Sequence, residues 1–182
     1  DTVVHGFPSD YKLQEGDIVS VDCGTKYREF NGDSAYTFAV GKIGDEDARL
    51  LEATKASLYL GIEQAVSGNR TGDIGFAVQS YVESLGFSVV REMVGHAIGR
   101  NLHESPEVPN YGRRGRGVKL HEGMVICIEP MVNAGGREVY LDDNGWAVRT
   151  ADGKKSAHFE LMVAIRKGAP EILSTFEFIE TN

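Results

Sequence analysis

Apolar runs and alternations divide the chain into short strands and two long helices. Ile18 to Asp22 predicts a strand, introduced by the turn Glu15-Gly16-Asp17, and Ala35 to Val40 predicts another, closed by Gly41. The polar stretch Gly24 to Gly32 connects them as a hairpin. A helix follows from about Asp45 to Val66, with Leu51, Leu58 and Ile62 on one face and Leu50, Tyr59 and Val66 widening it. Asp45, Glu46 and Asp47 crowd its first turn, where the helix dipole favours negative charge. Ser67-Gly68-Asn69 ends it. A second helix runs from about Gly72 to Leu85, capped by Thr71, with Ile74, Val78, Tyr81, Val82 and Leu85 as its stripe and Gly86 as its C′ residue. Phe87 to Arg91, Met124 to Glu129 and Ser156 to Ile165 predict three more strands. Gly95 to Gly117 reads as a Gly-rich and Pro-rich connection. Asp142-Asp143-Asn144-Gly145 and Asp152-Gly153 mark hairpin turns.

One pattern recurs. Lys12-Leu13-Gln14-Glu15-Gly16-Asp17-Ile18 aligns on Lys119-Leu120-His121-Glu122-Gly123-Met124-Val125, and the register carries Asp22 onto Glu129. Each copy is a turn, a buried strand and an acid at the strand end. Val4-His5-Gly6-Phe7 more weakly echoes Gly95-His96-Ala97-Ile98. Two similar strands of one sheet is the plainer reading. Because turn and acid repeat together, a duplicated half-domain is preferred, with matching strand ends meeting near a pseudo-twofold axis.

Composition narrows the class. The chain has 182 residues, 41% of them hydrophobic, enough for a single domain spanning 1–182. No linker or low-complexity segment divides it. No apolar run approaches the roughly 18 residues of a membrane span, so no membrane partner is expected. Two cysteines, Cys23 and Cys127, make no disulfide framework and fit a cytoplasmic setting. The net charge of −8 argues against specific nucleic-acid binding and raises the question of clustered carboxylates.

Asp22, Glu129 and Glu160 each stand in or beside an apolar strand, where a lone carboxylate costs several kcal/mol unless paired or metal-bound. Asp33 occupies the turn Gly32-Asp33-Ser34. His96 lies in Gly95-His96-Ala97-Ile98-Gly99, where glycine lets backbone approach a ligand. Singly, each has a plainer role: a turn or cap residue, a solvent-facing Glu160, a hydrogen-bonded loop histidine. Together they point to a shared cation site in which two divalent ions neutralise four carboxylates. One imidazole among oxygens suits Mn²⁺, Fe²⁺, Co²⁺ or Zn²⁺.

These residues carry a resemblance. His5-Gly6-Phe7-Pro8, Gly32-Asp33, Gly95-His96-Ala97-Ile98-Gly99-Arg100, His103-Glu104-Ser105-Pro106, Ile128-Glu129-Pro130-Met131 and His158-Phe159-Glu160 occur in order. The ordered set, running along nearly the whole chain, resembles the type I methionine aminopeptidases of the creatinase-like family. Met131 and Asn144-Gly145-Trp146 lean the same way. The resemblance implies an α+β pita-bread fold: pseudo-twofold duplicated halves and a curved, mostly antiparallel sheet covered by helices. It implies five metal ligands, Asp22, Asp33, His96, Glu129 and Glu160, around two divalent ions (Mn, Fe, Co or Zn). Asp33 and Glu160 would bridge them, with Asp22 on one ion and His96 and Glu129 on the other. His5 and His103 would contact the substrate amide and its transition state, and Leu102 and Trp146 would flank the methionine pocket.

The implied reaction is hydrolysis of the first peptide bond of a nascent polypeptide, removing its N-terminal methionine. A metal-activated hydroxide attacks the carbonyl, Glu129 shuttles the proton, His103 stabilises the oxyanion and His5 holds the amide. A monomer is expected.

The chain departs from the family in places. Glu160-Leu161-Met162 replaces the usual Glu-His-Thr, Ala97 replaces a glycine, and Asn31 stands where histidine is common. The family also implies a segment ahead of Asp1, missing from the first half of the fold. Tyr111 to Gly117, with Arg113, Arg114 and Arg116, is a basic patch open to transient ribosome contact; a solvated loop is the plainer reading. Cys23 and Cys127 adjoin Asp22 and Glu129 and are open to reading as a redox handle or weak metal neighbours; buried, inert thiols are the plainer reading, and the nearby acids, which raise a thiol pKa, rule out a catalytic dyad. Two other functions remain at this point: an Xaa-Pro dipeptidase or aminopeptidase of the same fold, and a non-catalytic binding module.

Overall fold

In a computed structural model describing residues 1–180, fifteen short strands and three helices alternate. The strands are β1 (Thr2–Val4), β2 (Ile18–Asp22), β3 (Thr25–Tyr27), β4 (Phe30–Gly32), β5 (Ala35–Ala39), β6 (Ser88–Val89), β7 (Gly95–Ala97), β8 (Glu104–Val108), β9 (Val125–Ile128), β10 (Met131–Asn133), β11 (Val139–Leu141), β12 (Val148–Thr150), β13 (Ser156–His158), β14 (Leu161–Ala164) and β15 (Glu171–Ile172). The helices are α1 (Asp45–Glu63), α2 (Thr71–Ser84) and α3 (Glu177–Glu180). The largest sheet runs β15-β14-β9-β7-β8, with β13-β10-β6, β1-β12-β11, β2-β5 and β3-β4 beside it. Every pairing between these strands is antiparallel.

The sequence echo has a structural counterpart. β2 pairs with β5, Ile18 opposite Ala39 and Asp22 opposite Ala35. β9 pairs with β14, Val125 opposite Ala164. Laying β2 on β9 therefore carries Ala35 onto Glu160, and these two residues are bridged to each other. The Glu160 N–H donates to Ala35 O at 2.9 Å and the Ala35 N–H to Glu160 O at 3.4 Å. The pseudo-twofold axis passes through this bridge.

Helices α1 and α2 pack together and against the large sheet. Leu50, Leu58 and Ile62 from α1 and Ile74, Val78 and Val82 from α2 meet Ile126, Ile128, Leu161 and Val163 in one core. A smaller cluster of Val3, Val4, Val90, Met131 and Val148 ties β1 and β12 to β10. No helix among the described residues is long and apolar enough to cross a membrane.

Several details differ from the expectation. Helix α1 ends at Glu63, and Tyr59 is exposed on its outer side. Arg70, not Thr71, is the N-cap of α2: its N–H donates to Asp73 Oδ2 at 2.8 Å, while Thr71 Oγ1 accepts the Val118 N–H. Strand β2 is half exposed where a buried strand is expected, because it pairs with β5 alone. The run 156–165 breaks at Phe159-Glu160, where the chain leaves β10 to join β9. Asp152-Gly153 is a turn between strands of different sheets rather than a hairpin. The predicted connection 95–117 contains β7 and β8. Its glycines hide the first of these: at Gly95 a side chain would collide with the Cys127 carbonyl. Its basic end folds back onto α2, with Gly115 N–H on Asp73, Arg70 on Gly117 O and Arg114 over the Phe76 ring.

Candidate metal centre

Strand ends from both halves converge on a buried pocket of acids and imidazoles. Asp33 follows β4 and caps its own turn, accepting the Ser34 N–H on Oδ1 at 3.1 Å. That leaves Oδ2 facing His96 Nε2 at 3.9 Å. His96 is the middle residue of β7; its Nδ1 lies 3.0 Å from Ala97 O, an acceptor that makes Nδ1 the protonated nitrogen and leaves Nε2 a lone pair for the pocket. Glu129 follows β9, with Oε1 3.5 Å from His96 Nε2 and Oε2 3.7 Å from His158 Nε2. Glu160, 2% exposed, is turned inward at the sheet crossing. Its backbone carbonyl takes the Ser34 hydroxyl, but its Oε1 has no hydrogen-bond partner.

Asp33, His96, Glu160 and Cys127 each offer an atom within 4.8 Å of the others. Glu129 and Asp22 lie outside that tightest group. Glu129 joins through His96, and Asp22, at the end of β2, through the Asp33 charge that raises its pKa.

The charge pattern fits a cation. Burial, then the Asp33 charge, pushes Asp22 up to about 6. Burial, then Asp33 and Asp22, raises Glu160 to about 8, and burial with Glu160, Asp22 and Asp33 raises Glu129 well above the carboxylate range. Burial holds His158 down at about 4 and lowers His96. Carboxylates that oppose one another's ionisation, an orphaned buried carboxylate oxygen and neutral imidazoles form an oxygen-rich donor set for divalent metal.

The metal-free protein should show this in its pH dependence. An unfolded chain ionises Glu160 near its ordinary 4.5, whereas the folded pocket takes up a proton as pH falls through about 8. Ionised, the group opposes folding, so stability rises as pH drops from about 8.5 to 7, a window above the ordinary histidine range. Melting curves in chelator should give the higher midpoint at the lower pH; an equal or lower midpoint contradicts this.

Around the pocket, the His103 ring meets His96 edge to face at 4.4 Å. His5, at φ 60°, lies 5.2 Å from the Trp146 ring, and burial, then His103, lowers its pKa. Leu102 sits over Gly24, where an added Cβ would meet its Cδ1 at 3.7 Å. Trp146 and Leu102 are both exposed. Sequence reading gave no role to His158 and preferred buried, inert thiols to weak metal neighbours for both cysteines; Cys127 is buried, but Cys23 is exposed. The signal for His158 and Cys127 is strand alternation: Cys127 is two residues from Glu129, and His158 two from Glu160. Burial, then Glu160, raises the Cys127 thiol as expected from its acidic neighbours.

Comparison with known proteins places this arrangement. Metallopeptidase family M24 matches residues 1–167. A methionine aminopeptidase of Clostridium perfringens is 56% identical over 94% of this chain and 69% of its own length. Methionine aminopeptidase 1 of Bacillus subtilis is 49% identical over 96% of this chain and 70% of its own. The crystal structure of methionine aminopeptidase from Rickettsia prowazekii superposes with a TM-score of 0.92 at 41% identity, covering 94% of this chain and 69% of that one. The fold is thus the α+β pita-bread fold. A prolidase from Pyrococcus furiosus, at 24% identity and a TM-score of 0.75, shares the fold alone. Beside methionine aminopeptidases at 49–56% identity, the Xaa-Pro reading and the binding-module reading are not favoured.

Proposed function

This chain belongs to metallopeptidase family M24, and we propose that it hydrolyses the first peptide bond of polypeptides to release N-terminal methionine. The observation that carries the reading is the buried Asp33–His96–Glu160 cluster with its orphaned Glu160 oxygen, in a chain this similar to methionine aminopeptidases.

Asp22, Asp33, His96, Glu129 and Glu160 would hold two divalent ions of the Mn, Fe, Co or Zn class. Bound there, such ions supply Lewis-acid polarisation of the carbonyl and a water activated for attack. Glu129 takes a proton and returns it to the leaving amine nitrogen; its contacts with His96 and His158 support that role. His103 donates to the developing oxyanion, a role supported by its edge-on packing against His96. His5 holds the scissile amide, stacked near Trp146, which with Leu102 flanks the methionine side chain. The substrate is the amino terminus of a nascent chain, met in the cytoplasm by a monomer. The basic loop is read as packing for α2 rather than as an RNA surface, because its backbone is bound to Arg70 and Asp73.

A Met-Ala-Ser peptide and an Ala-Pro peptide, each with Mn²⁺ or Co²⁺, test the proposal. Free methionine from the first, abolished by chelator, is expected. Cleavage of the Ala-Pro peptide instead would favour the Xaa-Pro class, and metal binding without cleavage of either would favour a binding module.

A further inference from the structure

Cys127 stands inside the pocket rather than beside it. It lies on β9 two residues before Glu129, so alternation turns both side chains to one face. Its sulfur groups with Asp33, His96 and Glu160, all four ligand atoms within 4.8 Å of one another. Around a tetrahedral ion with bonds of about 2.0–2.3 Å the donor atoms stand about 3.3–3.8 Å apart, so the group closes on a single ion once its widest separation contracts by about 1 Å. A second observation points the same way: Glu160 Oε1, on a carboxylate 2% exposed, has no hydrogen-bond partner. Cys127 itself is fully buried, which removes it from oxidants and alkylating agents, whereas Cys23 is exposed.

We propose that Cys127 is a sulfur ligand of this metal centre, bound to the ion that His96 also holds, and that it biases the site toward Zn²⁺, Co²⁺ or Fe²⁺ over Mn²⁺. The inference rests on the metal-dependent reading above. As the metal–sulfur bond forms, the thiol proton is released to solvent and no electron is transferred. Thiolate is a soft donor, and replacing it by a hydroxyl leaves an oxygen set that no longer distinguishes the softer ions.

Cobalt reports its own ligands. The full chain is titrated with Co²⁺ under a phosphine reductant, following the visible metal-centred bands and the near-ultraviolet region where thiolate-to-cobalt charge transfer absorbs. Both should grow together. The near-ultraviolet band should vanish in Cys127→Ser and persist in Cys23→Ser. Competition titrations should show Zn²⁺ affinity falling about tenfold or more in Cys127→Ser, with Mn²⁺ affinity within about threefold. Visible bands without the near-ultraviolet band in the unsubstituted chain overturn the sulfur ligand while leaving the metal centre standing, and need no variant to fold. Failure to bind Co²⁺ at all overturns the metal-dependent reading and this one with it.

Discussion

Asp33→Ala is expected to abolish methionine release and to weaken Mn²⁺ or Co²⁺ binding by about a hundredfold or more. Asp33 is the first-half carboxylate that faces His96 of the second half. It approaches His96, its charge acts on Asp22, Glu129 and Glu160, and its other oxygen is spent on the Ser34 N–H. Without it, the first half retains only Asp22 at the pocket. The same substitution removes a charge from a crowd of like charges. The metal-free variant should therefore melt no lower than the metal-free parent. Activity lost without stability lost is the signature, read by isothermal titration, methionine assay and melting in chelator. Turnover within tenfold of the parent would show that Asp33 holds no metal.

Gly75→Val should produce the largest loss of stability outside the pocket. Gly75 is buried on α2, and a Cβ there would overlap the carbonyl oxygens of Tyr111 and Pro109. Both partners are backbone, so no side chain can swing aside. Either α2 lifts off the 109–117 segment or that segment moves. Overpacking of this kind costs about 1–3 kcal/mol, with more for a branched side chain. In a chain of this size that lowers the melting temperature by about 5–10 °C. Ser80→Ala, on the exposed side of the same helix, should change stability by less than about 0.5 kcal/mol. Similar melting of the two variants would contradict the close approach.

What was legible in the sequence followed from patterns that local physics enforces. The apolar stripes of α1 and α2, the pairing strands 18–22 and 35–39 and the turn at Asp142 to Gly145 depend on periodicity and turn chemistry. The ordered motifs carried the fold and named a set of candidate ligands, of which Asp33, His96 and Glu160 meet in one tight group. Strands β7 and β8 were hidden because Gly95 is small for the sake of a neighbouring carbonyl, a constraint set by a residue far along the chain. The break at Phe159-Glu160 was hidden because an apolar run does not reveal that its two ends serve different sheets. The grouping of Cys127 with Asp33, His96 and Glu160 was hidden because a thiol on a buried strand is chemically silent until its neighbours from other strands are known.

The Ala35–Glu160 bridge gives the pocket a mechanical meaning. Asp22 and Asp33 belong to one side of that seam, Glu129 and Glu160 to the other, and the two backbone hydrogen bonds of the bridge are joined there by Ser34 on Glu160, Thr37 with His158 and Asn31 with Gly99. An ion held by acids from both sides acts as a clasp. At a hundred times its dissociation constant it adds about 2.7 kcal/mol to folding, concentrated where the halves meet. Metal supply would then govern how long the folded chain survives as well as how fast it works.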